Sequence, residues 1–212
     1  MARDPHISPA GLAVHIGSQI RDLAPFEHAY SALLALAVEL RNAGLPVPNL
    51  DLGGGVGIDY DTAGPTDFTE YGLLVQRLFA NQGFSLGFEP GRSIVANNGA
   101  LITRVIYVKQ GDGKRFIIVD AAMNDLLRPT LYEAHHAIWT LDEPGISTSK
   151  ADIVGPVCET GDYLGLDRDM PNLSAGDGLA ILSAGAYGAA MASNYNLSLI
   201  HISEPTRQEA IS

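Results

Sequence analysis

The segment Leu50-Asp51-Leu52-Gly53-Gly54-Gly55 decides the fold class, because a short apolar strand runs there directly into three glycines. A helical pattern stands on each side of this segment. The helix before it is indicated by apolar residues at helical spacing, namely Phe26, Tyr30, Leu33, Leu34, Ala37 and Leu40, and it ends before Gly44, Pro46 and Pro48. The helix after it is indicated by Tyr71, Leu74, Val75, Leu78 and Phe79.

Two further strands complete the pattern, one over residues 12–15 and one over residues 84–88. The resulting order is strand, helix, strand, helix, strand. Parallel strands need such helical crossovers, so the first part of the chain is predicted to be an α/β sheet or barrel.

The pattern changes near residue 98, where long helices give way to β-rich runs separated by turns. These runs lie at residues 101–108, 116–119, 153–157 and 179–182, and the stretch from Asn124 to Trp139 is expected to be a loop with short helical turns. We therefore predict an α/β domain over residues 1–98 and a β-rich domain over residues 99–196.

The composition narrows the class of partner. With 13 basic and 24 acidic residues, the net charge is −11, which disfavours nucleic acid or an anionic membrane surface and favours a small molecule or a protein. The single cysteine, Cys158, cannot form an internal disulfide, and no apolar run approaches the roughly 20 residues of a membrane span. A cytoplasmic setting is the expectation.

Small or polar residues follow all three predicted strands. Gly17 and Ser18 follow the first strand, the glycine triplet the second, and Glu89-Pro90-Gly91-Arg92 the third. Active sites of (β/α) barrels collect at such strand ends, and glycines let backbone N–H groups converge on a phosphate. Tight turns and a solvated loop remain alternative explanations, and His15 by itself is more typical of a packed histidine.

Six motifs in order carry a resemblance to a known family. They are His15-Ile16-Gly17-Ser18-Gln19, Asp51-Leu52-Gly53-Gly54-Gly55, Glu89-Pro90-Gly91-Arg92, Asp120 to Tyr132, Gly155 to Asp162, and Gly185-Ala186-Tyr187-Gly188. Together they resemble the motif series of diaminopimelate decarboxylases, which are fold-type III pyridoxal-phosphate enzymes. The resemblance covers roughly residues 11–196. It implies a partial TIM-like barrel over residues 1–98 followed by an incomplete β-barrel-like domain over residues 99–196.

The resemblance implies a binding site for pyridoxal 5'-phosphate. His15 would stack on the cofactor ring, and Glu89 would pair with its pyridine nitrogen. Ser18, Gly55 and Gly91 would hold the phosphate together with the adjoining backbone of Pro90 and Arg92, and Tyr187 would add its hydroxyl. No metal is implied.

The resemblance also implies substrate contacts, made by Arg92, Arg128, Tyr132, Glu159 and Tyr187. A guanidinium can hold a carboxylate through two hydrogen bonds, so Arg128 favours a substrate with a second carboxylate, and Glu159 can pair with its distal ammonium. Cys158 would donate the proton to the product, across a dimer interface. The alternatives are a surface arginine for Arg128 and an inert, buried apolar residue for Cys158.

Two features at the ends of the chain depart from the family pattern. The family holds its cofactor as a Schiff base on a lysine near the start of the barrel, whereas Lys109, Lys114 and Lys150 all lie later. Residues 197–212 resemble a translated sequencing adapter rather than the expected strand, although an ordinary tail is the alternative. We therefore expect a fragment with little or no activity of its own.

The leading hypothesis is that the intact parent, a homodimer with shared active sites, decarboxylates meso-2,6-diaminopimelate to L-lysine and CO2. One alternative is a related fold-type III decarboxylase that acts on another basic amino acid or on a carboxylated polyamine. Another is a non-catalytic homologue that binds a protein partner, although this predicts eroded cofactor motifs.

Overall fold

The computed structural model describes residues 4, 6–61, 67–111, 113–142 and 148–196. The described residues form two compact units. The first lies within Met1–Asp59 and Gly64–Ile94, and the second lies within Tyr60–Ala63 and Val95–Ser212. The adapter-like tail, residues 197–212, lies outside the described residues.

The first unit is a three-stranded parallel sheet with two helices. Its strands, in spatial order, are β1 (Gly11–Ala13), β2 (Asn49–Asp51) and β3 (Ser85–Gly87). The connections contain helix α1 (Ala24–Asn42) and helix α2 (Thr69–Phe79), and the short helix α3 (Arg92–Val95) follows β3.

The core of the first unit forms where the apolar faces of both helices meet the sheet. Phe26, Tyr30 and Leu50 are almost completely buried there. The Tyr30 hydroxyl donates to the carbonyl oxygen of Leu52 at 3.1 Å and contacts the Tyr71 hydroxyl at 2.8 Å. Because the ring is buried, the pKa of Tyr30 is raised above its ordinary value.

The second unit is a six-stranded sheet with the spatial order β6-β9-β4-β5-β7-β8. The strands are β4 (Leu101–Gln110), β5 (Arg115–Val119), β6 (Ile138–Thr140), β7 (Thr148–Val154), β8 (Tyr163–Pro171) and β9 (Gly178–Ile181). Helix α4 (Arg128–Tyr132) precedes β6. Neighbouring strands are antiparallel except β5 and β7, which are parallel.

The six-stranded sheet is nearly closed. Strand β4 pairs with β9 through its first half and with β5 through its second half, so the sheet bends around one core. The edge strands β6 and β8 lie close to each other: a Cβ atom on Gly165 of β8 would lie only 2.9 Å from Cδ1 of Ile138 of β6. The predicted fold class, an α/β part followed by a β-rich, barrel-like part, is confirmed.

Two details of the β-rich part differ from the prediction. The segment predicted as a loop, residues 124–139, includes the first residues of β6 in addition to α4. The strand predicted over residues 153–157 ends at Val154, because the Asp162 carboxylate and backbone bind the next residues into a loop. Strand β8 was not predicted.

Arg115 ties β5 to the strands beside it. Its side chain is buried, and its guanidinium donates to the carbonyl oxygens of Ser149, Met170 and Pro171 at 2.9, 2.6 and 3.0 Å. These acceptors lie at the start of β7 and the end of β8. One cation therefore provides hydrogen-bond donors for three carbonyl oxygens of the two neighbouring strands.

We predict that Arg115→Ala lowers the free energy of unfolding by about 2–4 kcal/mol, because carbonyl oxygens are left without donors. The matched control is Arg104→Ala, an exposed arginine with one bond to the Gly176 carbonyl, which should change stability by less than about 0.5 kcal/mol. Urea unfolding followed by circular dichroism measures both. Equal losses in the two variants would contradict the prediction.

Candidate active site

The carboxyl ends of β1, β2 and β3 are joined by hydrogen bonds beyond the last residues of the strands. The N–H of Val14 donates to the carbonyl of Asp51 at 2.9 Å, and the N–H of Glu89 donates to the carbonyl of Gly53 at 2.8 Å. His15, the glycine triplet and Glu89 therefore lie side by side at one edge of the sheet, as predicted for strand ends. We call this edge the rim.

The glycine triplet is required by the backbone that surrounds it. A Cβ atom on Gly53 would lie 2.2 Å from the Val14 carbonyl oxygen, one on Gly54 2.2 Å from that of Glu89, and one on Gly55 2.3 Å from that of Gly17. Gly53 and Gly55 also have positive φ values of 68° and 99°. Close packing of the strand ends explains the triplet without any ligand.

The polar side chains of the rim are oriented by local contacts. The N–H of Gly54 donates to Nδ1 of His15 at 3.3 Å, so the remaining proton of a neutral His15 lies on Nε2. The Arg92 guanidinium donates to the Ser18 hydroxyl oxygen at 3.0 Å. His15, Ser18 and Glu89 are exposed. The rim thus combines an imidazole, a hydroxyl, a guanidinium and a carboxylate.

The rim also has backbone donors that can receive an anion. Within the described parts of the chain, the N–H groups of Gly55 and Gly91 donate to no other residue. No atom lies within 4 Å of the position that a Cβ atom on Gly91 would take, and Gly91 and its neighbour Pro90 are exposed. Open N–H groups beside Ser18 suit a phosphate.

The second unit contains the other predicted site residues. Arg128, at the start of α4, is only 6% exposed, and its NH1 atom lies 2.7 Å from Nε2 of His136. Its guanidinium carbon lies 4.5 Å from the centre of the Tyr60 ring, in cation–π contact. Tyr132, at the end of α4, is 61% exposed. The alternative interpretation of Arg128 as a surface arginine is therefore wrong.

His136 was not predicted as a site residue. It is completely buried, and its Nδ1 atom lies 2.8 Å from the Leu182 carbonyl oxygen. A carbonyl only accepts, so Nδ1 bears the proton and Nε2 accepts from Arg128. Burial lowers the pKa of His136 to about 4; the bond to Leu182 opposes this shift, whereas the charges of Arg128, His135 and Arg168 add to it.

The loop after β7 carries Cys158 and Glu159, and a buried carboxylate holds it in place. Asp162 accepts the N–H groups of Met123 and Val157, both at 2.7 Å. Burial raises the pKa of Asp162, and the two N–H bonds oppose the shift. Cys158 and Glu159 are exposed on this loop. Its anchor, Asp162, belongs to a predicted motif but was given no role.

Two contacts connect this loop with neighbouring segments. The Thr130 hydroxyl, on α4, donates to the Gly161 carbonyl oxygen, which links the helix of Arg128 to the loop. The Tyr195 hydroxyl donates to the Glu159 carboxylate at 3.0 Å, and this bond raises the pKa of Tyr195.

Tyr187 is 43% exposed and has a left-handed backbone, with φ 59°.

The predicted residues thus lie in two groups. The first unit contains His15, Ser18, Gly55, Glu89, Pro90, Gly91 and Arg92, and the second contains Arg128, Tyr132, Cys158, Glu159 and Tyr187. The roles given to these residues stay predictions. No group of three or more metal-ligating side chains occurs among the described residues, and none of the described helices is long and apolar enough to cross a membrane.

The chain belongs to the pyridoxal-dependent decarboxylase family. Residues 21–185 match the family model described as "Pyridoxal-dependent decarboxylase, C-terminal sheet domain". The chain is 50% identical over 195 residues to the diaminopimelate decarboxylase of Neisseria meningitidis serogroup B, covering 92% of this chain and 47% of that protein. It is 48% identical over 198 residues to that of Zymomonas mobilis, again covering 92% and 47%.

Solved structures agree with this family assignment. The diaminopimelate decarboxylase of Helicobacter pylori complexed with L-lysine has 41% identity and a TM-score of 0.86, covering 92% of this chain and 48% of that one. A lysine/ornithine decarboxylase from Vibrio vulnificus has 22% identity and a TM-score of 0.80, covering 88% and 52%, which supports the fold alone. The chain spans about half the length of the curated relatives it matches.

We predict a pH dependence of stability that arises from His136. In the unfolded chain, the imidazole of His136 binds a second proton below about pH 6.5, whereas in the folded chain it does so only near pH 4. The stability that is present above pH 6.5 is therefore lost as the pH falls toward 4. Between pH 7.5 and pH 5 the loss due to His136 is about 2 kcal/mol. Urea unfolding at both pH values measures it.

The control compares two substitutions that remove a titrating imidazole. His136→Gln should lose this part of the pH dependence, whereas His28→Gln, at an exposed position of α1, should keep it. An unchanged pH dependence in His136→Gln would contradict the assignment.

Proposed function

We propose that this chain is part of an enzyme that converts meso-2,6-diaminopimelate to L-lysine and CO2 with pyridoxal 5'-phosphate as cofactor. The observation that carries the proposal is the 50% identity to the Neisseria decarboxylase over 92% of the chain. The structure of the Helicobacter enzyme complexed with L-lysine, the product of that reaction, adds support. A homodimer in the cytoplasm, with active sites shared between subunits, is part of the proposal.

The groups at the rim suit the cofactor chemically. The open N–H groups of Gly55 and Gly91, with the Ser18 hydroxyl, would hold the phosphate, and Tyr187 would add its hydroxyl. His15 would stack on the ring. The exposed Glu89 carboxylate would pair with the ring nitrogen and keep it protonated.

When bound, pyridoxal phosphate supplies a protonated ring that accepts the electron pair left as the bond between Cα and the carboxylate breaks. The chain's own part is to hold the substrate and to move one proton. After CO2 has left, Cys158 would donate the proton from Sγ to Cα, so that the S–H bond breaks, the C–H bond of lysine forms and a thiolate remains on Cys158. Its exposed position on the loop anchored by Asp162 is compatible with a role toward a substrate.

The other end of the substrate would be held by charge. Arg128, Arg92 and Tyr132 would bind a carboxylate, and Glu159 would bind the distal ammonium. Ornithine and arginine have no second carboxylate, so a site with a buried arginine at this place should discriminate against them.

The substrate assignment is tested with the complete gene product loaded with cofactor. We expect CO2 and lysine from diaminopimelate, with kcat/KM on the order of 10²-fold or more above that for ornithine or arginine. Turnover of ornithine, arginine or a carboxylated polyamine without turnover of diaminopimelate would show that the substrate assignment is wrong. Absence of both turnover and cofactor binding would favour the partner-binding alternative.

We predict that Glu89→Gln lowers kcat on the order of 10²-fold, because the ring nitrogen loses the carboxylate that stabilises its charge. The matched control is Glu39→Gln, an exposed acid on α1, which should keep kcat. Steady-state CO2 release measures both, and cofactor absorbance shows whether each variant is loaded. A normal kcat in the Glu89→Gln enzyme would contradict the proposed role of Glu89 toward the ring nitrogen.

A further inference from the structure

Three residues of the second unit contact one another in pairs. Arg128 contacts His136 at 2.7 Å and the Tyr60 ring at 4.5 Å, and the rings of Tyr60 and His136 meet edge to face with 5.1 Å between their centres. We call these three residues the arginine cluster. Tyr60 and His136 lie outside the set of residues proposed above to bind substrate or cofactor.

We infer that Tyr60 and His136 are positioning residues that fix the Arg128 guanidinium and so make the enzyme selective for a substrate with a second carboxylate. The inference rests on the proposed function, because it assigns a task to the arginine that would bind that carboxylate.

His136 can hold the guanidinium in only one way. Its Nδ1–H is committed to the Leu182 carbonyl, which leaves the lone pair of Nε2 directed at NH1 of Arg128. Complete burial keeps the imidazole neutral at pH 7. A neutral acceptor orients the guanidinium without placing a negative charge beside it, as a carboxylate at the position of His136 would do.

Tyr60 restricts the guanidinium from another direction. Its ring lies against the planar group, and an aromatic face attracts a cation without neutralising it. Tyr60 belongs to the same compact unit as Arg128, so its contact with the guanidinium lies within one unit.

A fixed guanidinium matters because binding through two parallel hydrogen bonds depends on direction. A mobile arginine must lose rotational freedom when the carboxylate binds, and this cost weakens binding. Preorganised donors avoid the cost. The benefit is therefore expected in the affinity for the dicarboxylate substrate and much less in the chemical step.

The first experiment measures kinetics of the complete, cofactor-loaded enzyme with diaminopimelate. Tyr60→Leu and His136→Phe should each raise KM about ten-fold or more, from the loss of a cation–π contact or of a charge-assisted hydrogen bond. Both should change kcat by less than about three-fold. His136→Gln, whose amide can both donate and accept, should recover most of the lost affinity.

Matched controls separate positioning from general damage. His28→Phe and Tyr107→Leu make the same two changes at exposed positions and should leave KM as it is. 1,5-Diaminopentane, which has the two amino groups but neither carboxylate, serves as an inhibitor whose affinity the cluster variants should change by less than about three-fold. Loss of kcat at constant KM, or equal loss of affinity for both compounds, would overturn the inference. If His136→Phe does not fold, Tyr60→Leu decides.

The second experiment does not depend on activity. In ¹⁵N NMR spectra of the full chain, His136 should show a protonated Nδ1 and an accepting Nε2, and Arg128→Leu should shift the Nε2 resonance. It should also raise the pKa of His136, because a cation is removed while His135 and Arg168 stay. An unchanged His136 would overturn the inference. Coupling between the two residues without turnover of diaminopimelate would instead overturn the proposed function and leave the positioning supported.

Discussion

Three carbonyl oxygens press against the backbone of Gly53-Gly54-Gly55, and the geometry of the rim depends on this contact. A side chain at any of the three positions would meet a carbonyl at 2.2–2.3 Å, which is far inside van der Waals contact. The strand ends can approach each other only because these side chains are missing. His15, Ser18 and Glu89 lie close together because the strand ends approach each other. The glycines therefore shape the site through packing as well as through their N–H groups.

The second unit solves a different problem, which is the burial of charge. Arg115 is surrounded by carbonyl oxygens, Arg128 by an imidazole and an aromatic ring, and the Asp162 carboxylate by N–H groups. Each charged group is compensated by dipoles rather than by an opposite charge among these contacts. Contacts of this kind hold each charged group in one orientation.

The sequence predicted the parts of the fold that have a strong period. Helices α1 and α2 were found because their buried residues recur every three or four positions. Strand β8 was missed because Gly165, Asp167, Arg168 and Asp169 resemble a turn, although Gly165 is needed where Ile138 comes close. Strand β6 has only three residues, too few for a pattern.

The site was predicted to a similar extent and for related reasons. Short motifs named the residues of the rim and the residues on α4, since each motif is local in sequence. His136 was missed because its partners, Arg128 and the Leu182 carbonyl, are defined only by the closed sheet. Tyr60 was missed because no local sequence pattern predicts its contact with Arg128 of α4. Contacts between distant segments cannot be derived from periodicity or composition.

The parallel pairing of β5 with β7 has a consequence for how this part of the protein folds. All other neighbours in the six-stranded sheet are antiparallel, but β7 can join β5 only after the long connection between Val119 and Thr148 has crossed over. That connection includes α4 and β6, and therefore Arg128 and His136. Closing it costs chain entropy before its contacts form. His136 and Leu182 are 46 residues apart in the sequence, so the hydrogen bond that orients His136 in the arginine cluster can form only after the chain has been made through β9.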